Sequence, residues 1–497
     1  MPNPANKEVM DAKERKNMIY SVIGVAIMLL FRFLPLNLPE VTPVGMQVIG
    51  IFLGTLFLWT FVDPLWASLI AIGMIGLSDY APMPQLLKEC FGNATVVQVF
   101  FLLIMSGALV YYKVTLYIGR FFLTRKFSIG KPWVLIWVIC VGTYFMAGFI
   151  NAFTAVFLFW AVMYDVFEEV GYKKGDAAPR VILTLIVVSA LCGFPMAPYA
   201  QNGLALLSNF AKITETLPGG AVHVNNGAYM AVAITTGMLM IACNILIAKF
   251  VFRPDMSKLK NLDIDSMNRN PLPPMNQRQK TIVGGFTVLV LCMMLPSLFS
   301  KIPGMSFLAQ NLNGLPLVAV AILAALRADH EPVLEVPKVI QNNFNWSSYF
   351  IIVAAILLGG VLTNESTGVS AFLKVILSPL FTGLSPVAFT VFLLIVAMVL
   401  TNMCNSLVIG MILQPVILTY CVQSGANPAP IVTMLIIFVL LSAAVTPAAS
   451  PFAAVLHSNK EWVPTKYVYT YTIPFVLAEL AIIMLVGIPM ANLLMAV

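Results

Sequence analysis

The chain has 497 residues, 60% of them hydrophobic and 10% charged, with a formal net charge of +7. Soluble domains are about half apolar and a quarter charged, so this composition excludes a soluble protein and implies a polytopic membrane protein. Scattered cysteines without a CxxC pair, and histidine only at His223, His330 and His457, give no zinc or haem spacing.

The first seventeen residues are polar and charged. The apolar run that follows, 18–36, is too long for a signal peptide and lacks a small-residue cleavage site, so it reads as a retained helix. Apolar spans are predicted at 44–62, 65–80 and 97–112, then an interfacial amphipathic arm at 115–127. The stretch 132–168 is long but carries a polar interruption, Asn151 in GFINAFTAVF, and is predicted as a re-entrant hairpin. A span with a proline-rich centre follows, 179–211 with CGFPMAPYAQN at 192–202, and then 227–252.

After a basic linker, 253–280, the order recurs. Spans are predicted at 281–300, 309–327 and 348–364, and an arm at 368–381. A second interrupted stretch, 386–422, contains TNMCNSLVIGMILQP. A second broken span, 429–457, contains VTPAASPF at 445–452, and the last span is 467–494. Irregular backbone at membrane depth is tolerated only where protein or a water-filled cavity covers it. The chain divides into a tail and first helix (1–43), scaffold segments (44–131 and 281–385), transport segments (132–252 and 386–497) and the linker (253–280).

With each hairpin counted as no crossing and the N-terminus cytoplasmic, the basic residues collect on one side. Only Lys88, Lys212, Lys301 and Lys374 fall elsewhere, and Arg32 snorkels from the first helix. This positive-inside bias predicts eleven spans in an inner membrane and an external C-terminus. The halves also match at an offset of 253, for Gly107 with Gly360, Ser189 with Ser442 and Pro198 with Pro451, and of 254 for Asn151 with Asn405. Five spans per half would invert one repeat against the other, a transporter pattern with its site at the midplane.

Asn151 and Asn405 are predicted to cap the descending arm of each hairpin. An N-cap amide satisfies orphan N–H groups, and the helix end it exposes suits an anion. The proline breaks free backbone carbonyls for a cation and N–H groups for an anion. The candidate substrate residues are Asn151, Ala152, Thr154, Pro198, Asn405, Ser406, Ser450 and Pro451. The candidate cation residues are Ile150, Asn151, Gly193, Cys404, Asn405 and Thr446.

In these features the chain resembles the divalent anion–sodium symporters, the carriers of dicarboxylates, citrate and sulfate. The resemblance implies eleven spans, two inverted repeats, hairpins tipped by Ser-Asn-Thr, and broken helices ending in Thr-Pro or Ser-Pro. It implies that the tips hold substrate carboxylates and, with the breaks, sodium. It also implies that hairpins and broken helices move as one block, elevator-fashion. The motif match is partial: Cys404-Asn405-Ser406 and Ser450-Pro451 come near it, Ile150-Asn151-Ala152 keeps only the asparagine, and Ala197-Pro198 keeps only the proline. The missing hydroxyls leave a poorer site for both sodium and a dicarboxylate.

The reading is thus an all-α secondary carrier of small organic anions, with sodium as candidate coupling ion and no other cofactor. The alternatives are a proton-coupled carrier or an exchanger of mono- or aromatic carboxylates. An enzyme or a channel fits less well, since the polar residues at depth include no catalytic cluster and gather at one level. The partners expected are the anion, the bilayer and a second copy of the chain, with no nucleic acid. Gly50 and Gly54 form a GxxxG suited to close helix packing or a subunit interface. Glu479 is expected to be a packing contact bonded to a hydroxyl such as Tyr471 or Thr472, with proton coupling the alternative. His457 is expected at the membrane interface.

Overall fold

The computed structural model describes residues 4–123, 130–199, 201–215, 220–261, 273–298, 302–369, 371–372, 375, 383–403, 405–447 and 449–495. The first half runs α1 (Pro4–Leu30), α2 (Pro43–Phe61), α3 (Pro64–Gly76), α4 (Met83–Phe91), α5 (Ala94–Tyr111) and α6 (Val114–Leu123). The first hairpin is α7 (Pro132–Phe149) and α8 (Ala152–Glu169). The first broken helix is α9 (Ala177–Gly193) and α10 (Gln201–Thr214), followed by α11 (Asn226–Ile247).

The second half has α12 (Gln277–Leu298), α13 (Met305–Gln310) and α14 (Leu315–Ala325). A minimal strand pair, β1 (Arg327–Ala328) and β2 (Glu331–Pro332), leads to α15 (Val336–Asn343) and α16 (Trp346–Thr363). The second hairpin is α17 (Pro386–Thr401) and α18 (Ser406–Ser424). The second broken helix is α19 (Pro428–Leu441) and α20 (Pro451–Ser458), and α21 (Thr465–Ile482) and α22 (Ile488–Leu494) close the chain.

Local chemistry sets these boundaries. Helices α2, α3, α7, α17, α19 and α20 open on proline, where the missing N–H is no loss and φ is already helical. Asp63 caps α3 by accepting from the N–H groups of Leu65 and Trp66 at 2.9 and 3.1 Å. The broken helices stop where Pro195 and Pro198, or Pro447 and Pro451, supply no N–H to continue the ladder.

Among the described residues, seven helices are long and apolar enough to cross a membrane by length and composition. Eleven crossings were expected; the other apolar helices are shorter pieces of 10–17 residues. The first helix begins well before the expected residue 18. Four elements were not anticipated: α4, α13, the β1–β2 pair and α15. The arm expected at 115–127 is helical from Val114 to Leu123, and 124–129 lies outside the described residues, as does most of 368–381.

The two halves pack by one rule. In each, the ascending hairpin arm lies on the first piece of its own broken helix, α7 on α9 and α17 on α19. Each descending arm then lies along the second piece of the other half's broken helix. Phe153 and Tyr164 of α8 meet Phe452 and Asn459 at α20. Gln414 of α18 meets Leu206 and Asn209 of α10. This reciprocal exchange is what a two-fold relation between the repeats requires.

Gly50 and Gly54 have a partner within the chain. A Cβ at Gly50 would lie 2.4 Å from the Phe31 side chain, and one at Gly54 would lie 2.5 Å from Met28. The GxxxG therefore seats α1 on α2. The far face of α1 exposes Met18, Val22, Leu29 and Leu30, as a lipid-facing helix does.

Candidate substrate site

Each hairpin tip is a short turn held by its asparagine. Asn151 has extended backbone (φ −165°) and caps α8, its Oδ1 accepting from Thr154 N–H at 3.0 Å. The Thr154 hydroxyl lies 3.4 Å from the same oxygen. Asn405 caps α18, its Oδ1 accepting from Leu407 N–H at 3.0 Å. Cys404 lies outside the described residues. The expected caps are thus present in both hairpins.

Ser450 caps α20 in the same way, its Oγ accepting from Ala453 N–H at 3.1 Å and donating to the Ala443 carbonyl at 2.6 Å. That second bond ties the α20 end of the break to its α19 end. Pro451 takes the first helical position.

The contacts draw these tips together. Ser406 N–H, at the start of α18, donates to the Ala449 carbonyl at 3.1 Å, beside the Ser450 cap. The Phe153 ring, two residues past Asn151, lies 4.3 Å from the Phe452 ring, and Phe194 in the first break lies 5.3 Å from Phe452. The starts of α8, α18 and α20 therefore share one neighbourhood. Each helix start carries about half a positive charge and N–H groups without an intrahelical acceptor, so their meeting makes this neighbourhood locally positive.

Pro198 faces elsewhere. With Tyr199 it borders a cavity of about 560 Å³ between α10 and α5, lined also by Asn93, Gln98, Ser208, Lys212 and His223. The Tyr199 hydroxyl is buried without a hydrogen-bond partner, and Lys212 binds Glu215 at 3.1 Å. Lys88 and Lys212 line an adjoining cavity near Asn93, at the start of α5. Arg278 sits against Tyr112 at the other end of that helix. Lys88 and Lys212, two of the four lysines set apart by charge pattern, are therefore remote from the Arg278 cluster, and Lys301 and Lys374 lie outside the described residues.

The expected cation residues are held by their neighbours. The Ile150 carbonyl accepts from the Ser106 hydroxyl of α5 at 2.7 Å. The Thr446 hydroxyl donates to the Asn402 carbonyl at 2.6 Å. Gly193 lies so close to α7 that a Cβ there would sit 2.1 Å from the Tyr144 carbonyl oxygen.

Asn402 is the residue that sequence reading missed. Its Nδ2 donates to Ser442 O at 3.0 Å and Met398 O at 2.8 Å, and its Oδ1 accepts from Val445 N–H at 3.0 Å. One side chain thus clamps the second hairpin to its broken helix. The offset of the hairpin tips, 254 residues, pairs Asn402 with Gly148, where a Cβ would sit 2.8 Å from Gly193 O. The first repeat reaches the same contact by close approach instead of an amide, so the comparison of halves hid it.

His457 is buried, with Nε2 2.9 Å from Val445 O inside the second break. One expectation is corrected. Glu479 is bonded to neither Tyr471 nor Thr472. Its Oε1 accepts from Asn244 Nδ2 of α11 at 2.9 Å and from the Cys192 thiol of α9 at 3.4 Å. The Thr472 hydroxyl turns back to its own helix, donating to Val468 O at 2.8 Å.

The sequence pattern of the citrate transporter family matches residues 54–408, from α2 to just past the Asn405 tip. Among solved structures, the Alcanivorax borkumensis YdaH transporter, described as having an unusual topology, is similar with a TM-score of 0.56 and 11% identity. The likeness covers 90% of this chain and 98% of that one, and at that identity it shows a shared fold. A search of curated proteins finds no match. The pattern match covers well over half of the sequence and both comparisons are with transporters, so the chain is a membrane transport protein, and it belongs to the citrate transporter family.

Proposed function

We propose that the protein is a secondary active carrier of small organic anions, with citrate and related carboxylates as first candidates. The observation that supports this most is the meeting of three capped helix starts, at Asn151, Asn405 and Ser450, around Phe452. Helix starts bind carboxylates through backbone N–H groups without a fixed positive charge. A site held by partial charges binds an anion and also releases it.

In this reading the block comprises 132–252 and 386–497, carrying hairpins and broken helices past the scaffold of 44–131 and 281–385. The tail 1–43 and the linker 253–280 complete the chain. The proposal keeps a homodimer, an inner-membrane location, a cytoplasmic N-terminus and an external C-terminus. Sodium has less support. The carbonyls of Ile150, Asn402, Ala443, Val445 and Ala449, at the tips and breaks, each already face a hydroxyl, ring nitrogen or N–H group. A hard cation needs several free oxygens.

The test is counterflow of labelled citrate into proteoliposomes preloaded with unlabelled citrate, without other gradients. A carrier accelerates entry when the inside is loaded. Entry at the rate of protein-free vesicles, for citrate and for a panel of mono- and dicarboxylates, would overturn the assignment.

A further inference from the structure

Glu479 is fully buried in α21, and its neighbours among the described residues include no counter-ion. It touches Asn244 of α11 and Cys192 of α9. The other titratable group near it is the thiol of Cys243, next to Asn244 on α11. No lysine, arginine or histidine among the described residues bonds it. The second carboxyl oxygen, Oε2, and the Asn244 oxygen, Oδ1, are both buried without a partner.

Counting donors resolves this pair. An ionised carboxylate beside the amide leaves two acceptors and no donor for either, in a place where an unpaired charge costs many kcal/mol. One proton on the carboxyl supplies a donor and removes the charge. Exchanging the ends of the Asn244 amide does not help, since its oxygen would then face Oε1 and need that proton directly. Both arrangements call for the neutral acid.

A glutamine here would satisfy Asn244 with no titratable group at all. The acid adds only the capacity to lose its proton. Its bond to Cys192 lies one residue before Gly193, where α9 ends, and the break beyond it, with Pro198 and Tyr199, borders the polar cavity. Burial is what keeps the acid neutral, and movement of that break would change both this burial and the Cys192 contact.

We propose that Glu479 is the proton-binding site of the transport block, carrying a proton with the substrate anion; this rests on the carrier reading above. Loading is O–H bond formation at the carboxylate from water, and release returns the proton to water. No other bond changes.

The test uses purified full-length protein and its Glu479→Gln variant, with thermal unfolding of both as the check on folding. Infrared spectra near neutral pH are expected to show a protonated-carboxyl C=O band in the parent that is lost in the variant. Citrate accumulation is then driven in proteoliposomes by an inward gradient of one pH unit, with the membrane potential clamped at zero. One coupled proton supports about tenfold accumulation in the parent, and the variant is expected to show none. Absence of the band overturns the proposal, as does full gradient-driven accumulation by the variant. If Glu479→Gln does not fold, Asn244→Asp, which places a second acid against the first, is expected to shift the acid limb of uptake; an unchanged pH profile overturns the proposal. Parent counterflow judges the carrier reading separately, and its failure leaves the infrared result to decide the neutrality of Glu479.

Discussion

Asn209 donates from Nδ2 to Oε1 of Gln414 at 2.6 Å, a side-chain bond within the core between residues of opposite repeats. Gln414 Nε2 in turn donates to the Leu206 carbonyl at 2.8 Å. Gln414→Leu strands the Asn209 amide, and a buried unsatisfied group costs about 1–3 kcal/mol. The single variant is expected to melt earlier than the parent. Asn209→Ala combined with Gln414→Leu is expected to cost less than the two single changes added together. Strict additivity in thermal unfolding would show that the bond contributes nothing.

Asn402→Ala removes the clamp between the second hairpin and its broken helix. At about 0.5–1.5 kcal/mol per hydrogen bond, losing those to Ser442 and Val445 disorders the Ser450 region enough to slow citrate counterflow tenfold or more. Asn405→Ala removes a cap worth about 0.5–2 kcal/mol, and is expected to abolish transport while the protein still folds. Parent-like counterflow in Asn405→Ala would make that residue merely structural.

Ser208 Oγ of α10 lies 3.1 Å from Thr95 Oγ1 of α5, where the proposed block meets the proposed scaffold. The Ser106 bond to Ile150 O is a second polar contact of α5 of this kind. Thr95→Cys with Ser208→Cys is expected to form a disulfide on oxidation, since the two side chains already touch. Oxidised protein should bind citrate but not exchange it, and reduction should restore exchange. Full turnover while crosslinked would exclude block motion.

A last expectation concerns acid. Glu335 is held below the ordinary carboxylate range by its bonds to Lys338 and to Arg278. Its carboxyl is 2.7 Å from Arg278 and 2.5 Å from Lys338. A depressed value means that its contribution is full above about pH 4.3 and is lost as pH falls through the folded value. Parent and Glu335→Gln are expected to differ in thermal unfolding at neutral pH and to converge in stronger acid. A constant difference at all pH values would refute this role.

Much of this architecture was legible because polar residues are costly at membrane depth. Asn151 and Asn405 stood out against apolar surroundings, and both cap the helices expected of them. The prolines marked both breaks. Partnerships between helices were not legible. Nothing local joins Glu479 to Asn244 and Cys192, and Thr472, the obvious neighbour, is occupied by its own helix. Asn402 was hidden because its repeat mate is Gly148, and the same contact is made there without a side chain. The elements α4 and α15 are short and amphipathic, so a search for long apolar runs passed over them.

The exchange of hairpins between halves has a consequence for biogenesis. Phe153 emerges from the ribosome roughly 300 residues before Phe452, the ring that covers it. At about 5–20 residues per second, the first hairpin waits on the order of tens of seconds with its capped tip uncovered. During that interval the N-terminal half is a membrane segment with polar backbone ends and no lid. It needs either a chaperoning insertase or a transient seat against α5, where Ser106 already reaches the Ile150 carbonyl. Assembly of the candidate site therefore waits for the second broken helix, and truncation anywhere before Phe452 leaves both halves of the proposed block unfinished.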